Sequence, residues 1–215
     1  MNAPASMNRN PLVTVYIPTF NRLALLRRAL DSVLEQSYRE LEVIVVDDRS
    51  SDGTRQAVEE VQRADPRVVL LSKPESMPRG APASRNLAIE RARGEFVTGL
   101  DDDDYFHPER IQAFVRAWDG SATALYSDTR AVYGPGNEVV SRRPATVRRD
   151  DLLVSNFVGS QVFAPRATYI RAGGFDITFP MWQDLELWFA MLKDGGVMKR
   201  AGLPSYYVDA GHEET

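Results

Sequence analysis

Four consecutive aspartates, Asp101 to Asp104, are the residues of this chain most suited to chemistry, and they follow directly on an apolar run, Phe96-Val97-Thr98-Gly99-Leu100. Two carboxylates about 4 Å apart repel by roughly 1 kcal/mol in water and roughly 4 kcal/mol at an effective dielectric of about 20, so a crowded set calls for a cation. No basic residue lies inside the run. A hard divalent ion takes carboxylate oxygens and keeps open positions for substrate phosphates, which makes the run a candidate metal and phosphate site. A solvated acidic turn is the competing reading, because Asp is a common turn residue. A calcium loop of the EF-hand type does not fit. Counting from Asp101, the sixth residue is Phe106 rather than Gly and the twelfth is Gln112 rather than Glu.

Two further apolar runs end in polar residues that could share such a site. Val13 to Ile17 delivers Pro18-Thr19-Phe20-Asn21-Arg22, and Val43 to Val46 delivers Asp47-Asp48-Arg49-Ser50-Ser51-Asp52. Helical spacing separates these runs. Leu23, Leu26, Leu30, Val33 and Leu34 recur on one face over Leu23 to Gln36, and helices are expected over Thr54 to Ala64 and over Ala83 to Arg93, the last closed by Gly94. A further strand is expected over Val68 to Leu71. Continuous apolar strands between helices indicate an α/β fold, a Rossmann-like and mainly parallel sheet flanked by helices on both faces. Ligands then sit beyond the carboxyl ends of the strands. Ser51-Asp52-Gly53 reads as an N-cap region whose free N–H groups face the same edge. The chain has no Gly-x-Gly-x-x-Gly after its first strand and no phosphate loop ending in Gly-Lys-Ser or Gly-Lys-Thr.

Length and charge narrow the partners. At 215 residues with 43% apolar side chains, one globular domain is expected. A net charge of −4 gives no basic stripe, so nucleic acid is not an expected partner. Zero cysteines exclude disulfides, thiolate zinc sites and cysteine nucleophiles. No run approaches the roughly 18 apolar residues of a membrane span, and the first residues lack a signal-peptide core, so a cytoplasmic protein is expected. Residues 1–11 read as a disordered leader and 12–215 as one domain, with 12–110 the phosphate- and metal-facing half. Residues 111–215 form a second half, in which Gly134-Pro135-Gly136-Asn137 marks a hairpin between Ala122 to Tyr133 and Val139 to Val140.

In combination these residues resemble glycosyltransferase family 2, the inverting nucleotide-sugar transferases of the GT-A fold. The matching segments are Val15 to Arg22, Leu30 to Tyr38, Glu42 to Thr54, Ser84-Arg85-Asn86, Ala92 to Val97 and Leu100 to Asp104 with Pro108. Gly173-Gly174-Phe175-Asp176, followed by Trp182-Gln183-Asp184-Leu185-Glu186-Leu187-Trp188, is similar to the acceptor-side segment. The resemblance implies transfer of a sugar from a nucleotide-diphosphate donor, UDP-linked by expectation, to a saccharide or lipid-linked saccharide acceptor. It also implies polysaccharide or lipopolysaccharide synthesis at the inner face of the membrane as the alternative to a freely cytoplasmic enzyme.

The resemblance further implies roles. Pro18, Thr19, Asn21, Asp48, Arg85 and Asp102 would hold the nucleotide, while Asp101, Asp103 and His212 would hold Mn²⁺ or Mg²⁺, Asp103 being the ligand of the Asp-x-Asp motif. Asp104 would be a structural helper that caps the helix beginning near Pro108. Asp184 would be the general base, its basicity raised by partial burial beside Trp182 and Trp188; a first-turn carboxylate facing the helix dipole is the competing use. The family more often has Glu-Asp where this chain has Gln183-Asp184. For Trp182 and Trp188, core packing is the expected use. Two other functions carry the same acidic strand ends: a nucleotidyltransferase, which needs a glycine-rich loop with lysine that Asn21-Arg22-Leu23-Ala24 does not supply, and a non-catalytic metal- or nucleotide-binding module.

Overall fold

The computed structural model describes residues 10–179 and 181–211. Its first sheet is built from β1 (Val13–Thr19), β2 (Leu41–Asp47), β3 (Val68–Ser72), β4 (Phe96–Gly99) and β9 (Ala164–Pro165) in the order β3-β2-β1-β4-β9. The first four are mutually parallel, and β9 closes the edge antiparallel to β4. Every residue of β1 and β2 is buried, as continuous apolar runs require when both faces are covered. Alternate residues then feed two cores. Val13, Val15, Ile17, Val43 and Val45 pack with Leu26, Leu30 and Val33 of α1 (Leu23–Leu34), while Tyr16, Ile44, Val46 and Val97 pack with Leu87 and Ala88 of α3 (Ala81–Arg91).

The second sheet runs β5-β10-β6-β7, with β8 (Thr146–Val147) pairing β10. Here β6 (Ala124–Val132) and β10 (Met198–Asp209) are parallel, β5 (Tyr105–Phe106) lies antiparallel to β10, and β7 (Glu138–Ser141) lies antiparallel to β6. The expected hairpin at Gly134 to Asn137 is present between β6 and β7. Strand β10 carries a register shift against β6 between Ala201 and Tyr206. Among the described residues the other helices are α2 (Thr54–Ala64), α4 (Arg110–Ala117), α5 (Arg166–Ala172) and α6 (Gln183–Met191), with a 3₁₀ turn over Arg149–Leu153.

Several boundaries differ from the expectations for local reasons. Helix α1 ends two residues short of Gln36, whose buried amide turns away to accept from Ile111 N at 3.0 Å and donate to the His107 carbonyl at 2.8 Å. Helix α3 ends at Arg91, so Gly94 is not its cap. A Cβ on Gly94 would lie 2.6 Å from the Thr14 backbone nitrogen, and close approach of the chain to β1 is what requires glycine there. Pro11, expected in the leader, is buried, and its carbonyl accepts from the Tyr38 hydroxyl at 2.5 Å. Among the described residues no helix is long and apolar enough to cross a membrane.

Candidate active site

The carboxyl ends of β1, β2 and β4 meet at one edge of the first sheet. They open into a cavity of about 350 Å³ whose lining includes Pro18, Thr19, Phe20, Arg22, Asp48, Gly80 and Asp102. Adjacent turns are tied across that edge. The Asp48 amide donates to the Thr19 carbonyl at 2.9 Å, and Asn21, at φ 52°, accepts from Ser51 N at 2.7 Å. Asn21 therefore lies between two turns, outside the cavity lining. Gly53 is the N-cap residue of α2, and Asp52 before it accepts from Thr54 N of that helix at 3.1 Å and also from Leu23 N of α1 at 3.0 Å.

The four aspartates separate into different surroundings. Asp102 accepts from the Thr19 hydroxyl at 2.7 Å and from Arg22 Nη1 at 3.3 Å, while Asp103 accepts from the same Nη1 at 2.9 Å. Burial pushes the Asp102 carboxyl up from its ordinary range against the pull of Thr19 and Arg22. Asp101 Oδ1 accepts from Arg85 Nη2 at 2.7 Å and from Gln161 Nε2 at 3.1 Å, and its other oxygen accepts from the Tyr206 hydroxyl at 3.3 Å. Burial works against the Arg85 charge, but Asp101, Tyr16 and Tyr206 together outweigh it and raise the guanidinium above its ordinary value. Arg85 also lies 5.2 Å over the Phe175 ring.

Asp104 corrects its expected role. It caps no helix: its Oδ1 accepts from Asp209 N of β10 at 3.1 Å, and the start of α4 is held by Gln36 instead. Burial, then the nearby Asp101 charge, pushes the Asp104 carboxyl up to about 7. Arg28 of α1 reinforces the same junction, pairing with Asp209 and donating to the Asp103 carbonyl at 2.5 Å. The reading that no base neutralises the acidic run holds for the sequence alone. Folding brings Arg22 and Arg85 to it, from before and after β2 in the chain.

These residues fit a divalent ion in their chemistry. Asp102 and Asp103 already converge on a single cationic nitrogen, and carboxylate oxygens are the donors that Mg²⁺ and Mn²⁺ take. Among the described residues, no group of three or more His, Cys, Asp or Glu is set to hold a metal by itself, so substrate phosphate oxygens would have to complete the shell. His212 lies outside the described residues. Asp184 stands apart from this cluster, in the first turn of α6, where its Oδ2 accepts from Asn156 Nδ2 at 2.8 Å. The two tryptophans divide: Trp188 is fully buried and donates to the Gly159 carbonyl at 2.9 Å, whereas Trp182, expected in the core, is exposed and holds φ at 63°.

Gln161, Tyr206, Arg28 and Lys73 are site residues that the sequence did not single out. Lys73 follows β3, is fully buried, and pairs with Asp48 at 2.7 Å.

The sequence matches Glycosyl transferase family 2 over residues 14–176. It is 34% identical over 200 residues to an Escherichia coli (strain K12) protein named as a colanic acid biosynthesis glycosyl transferase, with 88% of this chain and 69% of that one covered. It is 31% identical to the hyaluronan synthase of Pasteurella multocida, with 63% of this chain and 14% of that one covered. Among solved structures, S. aureus TarS 1-349 in complex with UDP is similar at 25% identity and TM-score 0.71, over 92% of this chain and 60% of that one. The mannosyltransferase PcManGT from Pyrobaculum calidifontis, in complex with GDP-Man and Mn²⁺, is similar in fold at TM-score 0.70 and 24% identity, covering 95% of this chain and 58% of that one. Against several of these proteins the chain spans well under two thirds of their length.

Fold and family match together define a GT-A glycosyltransferase. The chain belongs to glycosyl transferase family 2.

Proposed function

We propose that this enzyme transfers a sugar, with inversion, from a UDP-sugar to a hydroxyl of a saccharide acceptor in the assembly of a bacterial-type polysaccharide. The observation that carries this reading is the meeting of Thr19, Asp48 and Asp102 in one cavity beyond the parallel strand ends. Asp48 faces the nucleobase, while Thr19, Asp102 and Arg85 lie toward ribose and phosphate. Asp103 and Asp101 would hold Mn²⁺ or Mg²⁺, whose charge offsets that of the departing diphosphate. Asp184, oriented by Asn156, takes the proton of the acceptor hydroxyl as its oxygen bonds to the anomeric carbon and the bond to diphosphate breaks. The proton ends on Asp184, and UDP carries away the bonding electrons.

The similarity to a colanic acid transferase supports a polysaccharide acceptor. A lipid-linked acceptor, met at the inner face of the membrane, is supported by apolar side chains that flank Asn156 and Asp184 in sequence. Leu153, Val154, Met181 and Trp182 are 63–81% exposed.

Calorimetry with UDP tests the donor half. Binding is expected to depend on Mn²⁺ or Mg²⁺, and Asp103→Asn is expected to abolish most of that dependence without loss of fold. Metal and nucleotide should tighten one another by the same factor. UDP binding that is equally tight in excess EDTA overturns the metal assignment.

A further inference from the structure

Asp48 is held by three donors before any ligand arrives. Its Oδ2 accepts from Lys73 Nζ and from Gly80 N, both at 2.7 Å, and its Oδ1 accepts from Arg49 Nη2 at 3.2 Å. An ionised carboxylate offers about four acceptor positions, two on each oxygen. Oδ2 is therefore filled and Oδ1 keeps one. Lys73 is committed to this arrangement: the side chain is fully buried, and Nζ also donates to the Gly80 carbonyl and to Ser84 Oγ, each at 3.1 Å. Ser84 Oγ in turn donates to that carbonyl at 3.2 Å. A buried lysine without its carboxylate would be costly, so the pair stays together. Burial pushes the Asp48 carboxyl up, but the bonds from Lys73 and Gly80 outweigh it and hold the group below its ordinary value.

We infer that Lys73 is a specificity-determining positioning residue: by filling Oδ2 it leaves Asp48 a single acceptor position, which selects a nucleobase with one N–H on its pairing edge over one with two adjacent N–H groups. The inference rests on the assignment of Asp48 to the base. Uracil presents one N–H between two carbonyls. Guanine presents a ring N–H beside an amino group, a pair that a carboxylate satisfies only with both oxygens open. In this site the second guanine donor is left unpaired on burial, which disfavours it by about 5- to 140-fold.

Calorimetric titration with UDP and with GDP, each in the same Mn²⁺ concentration, reads the base alone, because diphosphate and metal contributions cancel in the ratio. The parent is expected to prefer UDP. Lys73→Met reopens one position on Oδ2 and is expected to lower the UDP-to-GDP affinity ratio by about 2- to 10-fold, the worth of one hydrogen bond. Lys73→Gln, one bond shorter, withdraws from Oδ2 while keeping a polar group beside Ser84 and the Gly80 carbonyl, and is expected to move the ratio in the same direction. It carries the test should Lys73→Met not fold. A purely structural lysine would weaken both nucleotides equally. A parent preference for UDP with an unchanged ratio in the folded variant therefore overturns the role of Lys73 alone. Equal parental affinity for UDP and GDP overturns the base assignment beneath it as well.

Discussion

At the scale of single residues, donor binding and chemistry are assigned to different carboxylates, so they should separate in variants. Asp184→Asn keeps the side chain's size and can still meet Asn156, while the cavity proposed for the nucleotide is lined by other residues. A positioned general base is worth about 10²–10⁴ in rate. Turnover of the variant is expected to fall by that factor with UDP affinity unchanged, as steady-state rates and calorimetry on the same preparation would show. A variant that keeps more than about a tenth of parental turnover lies outside the general-base range and moves the search to Glu186 or Asp176. The exposed Trp182, two residues before Asp184, holds a left-handed backbone that bulky residues rarely adopt. Trp188, six residues further on and inside α6, is buried in the core.

At the scale of elements, what could be read from the sequence was what each strand carries by itself. The apolar runs of β1, β2 and β4 fixed the sheet, and the polar residues immediately after them, Thr19, Asp48 and Asp102, meet in one cavity because parallel strands end on one edge. Partners that arrive from distant elements left no such mark. Gln161 reaches Asp101 across 60 positions and Tyr206 across 105, and neither lies in a periodic pattern that points to the site. Asp104 was misplaced for the same reason, since its partner is the Asp209 amide at the far end of β10. Gly99 shows how tightly these elements close: a Cβ there would lie 2.1 Å from Gln161 Oε1 and 2.4 Å from the ring of the fully buried Tyr16. Gly99→Ala must therefore displace both the Tyr16 ring and Gln161, which otherwise accepts from Tyr16 at 2.8 Å and donates to Asp101. Overpacking of this kind costs about 1–3 kcal/mol. The variant is expected to lose stability and UDP affinity together, and thermal melts that shift with no change in affinity would detach Gln161 from the donor site.

At the scale of the whole molecule, the two ends of the parallel sheet do different work. The carboxyl ends gather charge around the candidate donor cavity, whereas the amino ends are knotted by one buried acid, Glu42. Its Oε2 accepts from the Thr14 hydroxyl at 2.7 Å and from Arg93 N at 2.9 Å, and its Oε1 accepts from Arg93 Nε at 2.6 Å. Thr14 also accepts from Gly94 N at 3.0 Å, so β1, β2 and the approach to β4 are joined through this carboxylate. Burial pushes the Glu42 carboxyl up, but the bonds from Arg93 and Thr14 prevail and hold it below its ordinary value of 4.5. A carboxyl lowered in the folded state stabilises fully above its unfolded value and loses that contribution as the pH falls through its folded value. Replacing it by Glu42→Gln leaves a buried hydrogen-bond donor unpaired, at a cost of about 1–3 kcal/mol. The melting temperature of the variant is therefore expected to lie below that of the parent at pH 7, and the gap is expected to narrow below about pH 4.5 as the parental carboxylate is protonated. UDP affinity at neutral pH should not change, because Glu42 lies at the opposite end of β2 from Asp48. Paired melts from pH 7 down to about pH 3 decide the matter: a gap that stays constant throughout would remove Glu42 from the acid response of the fold.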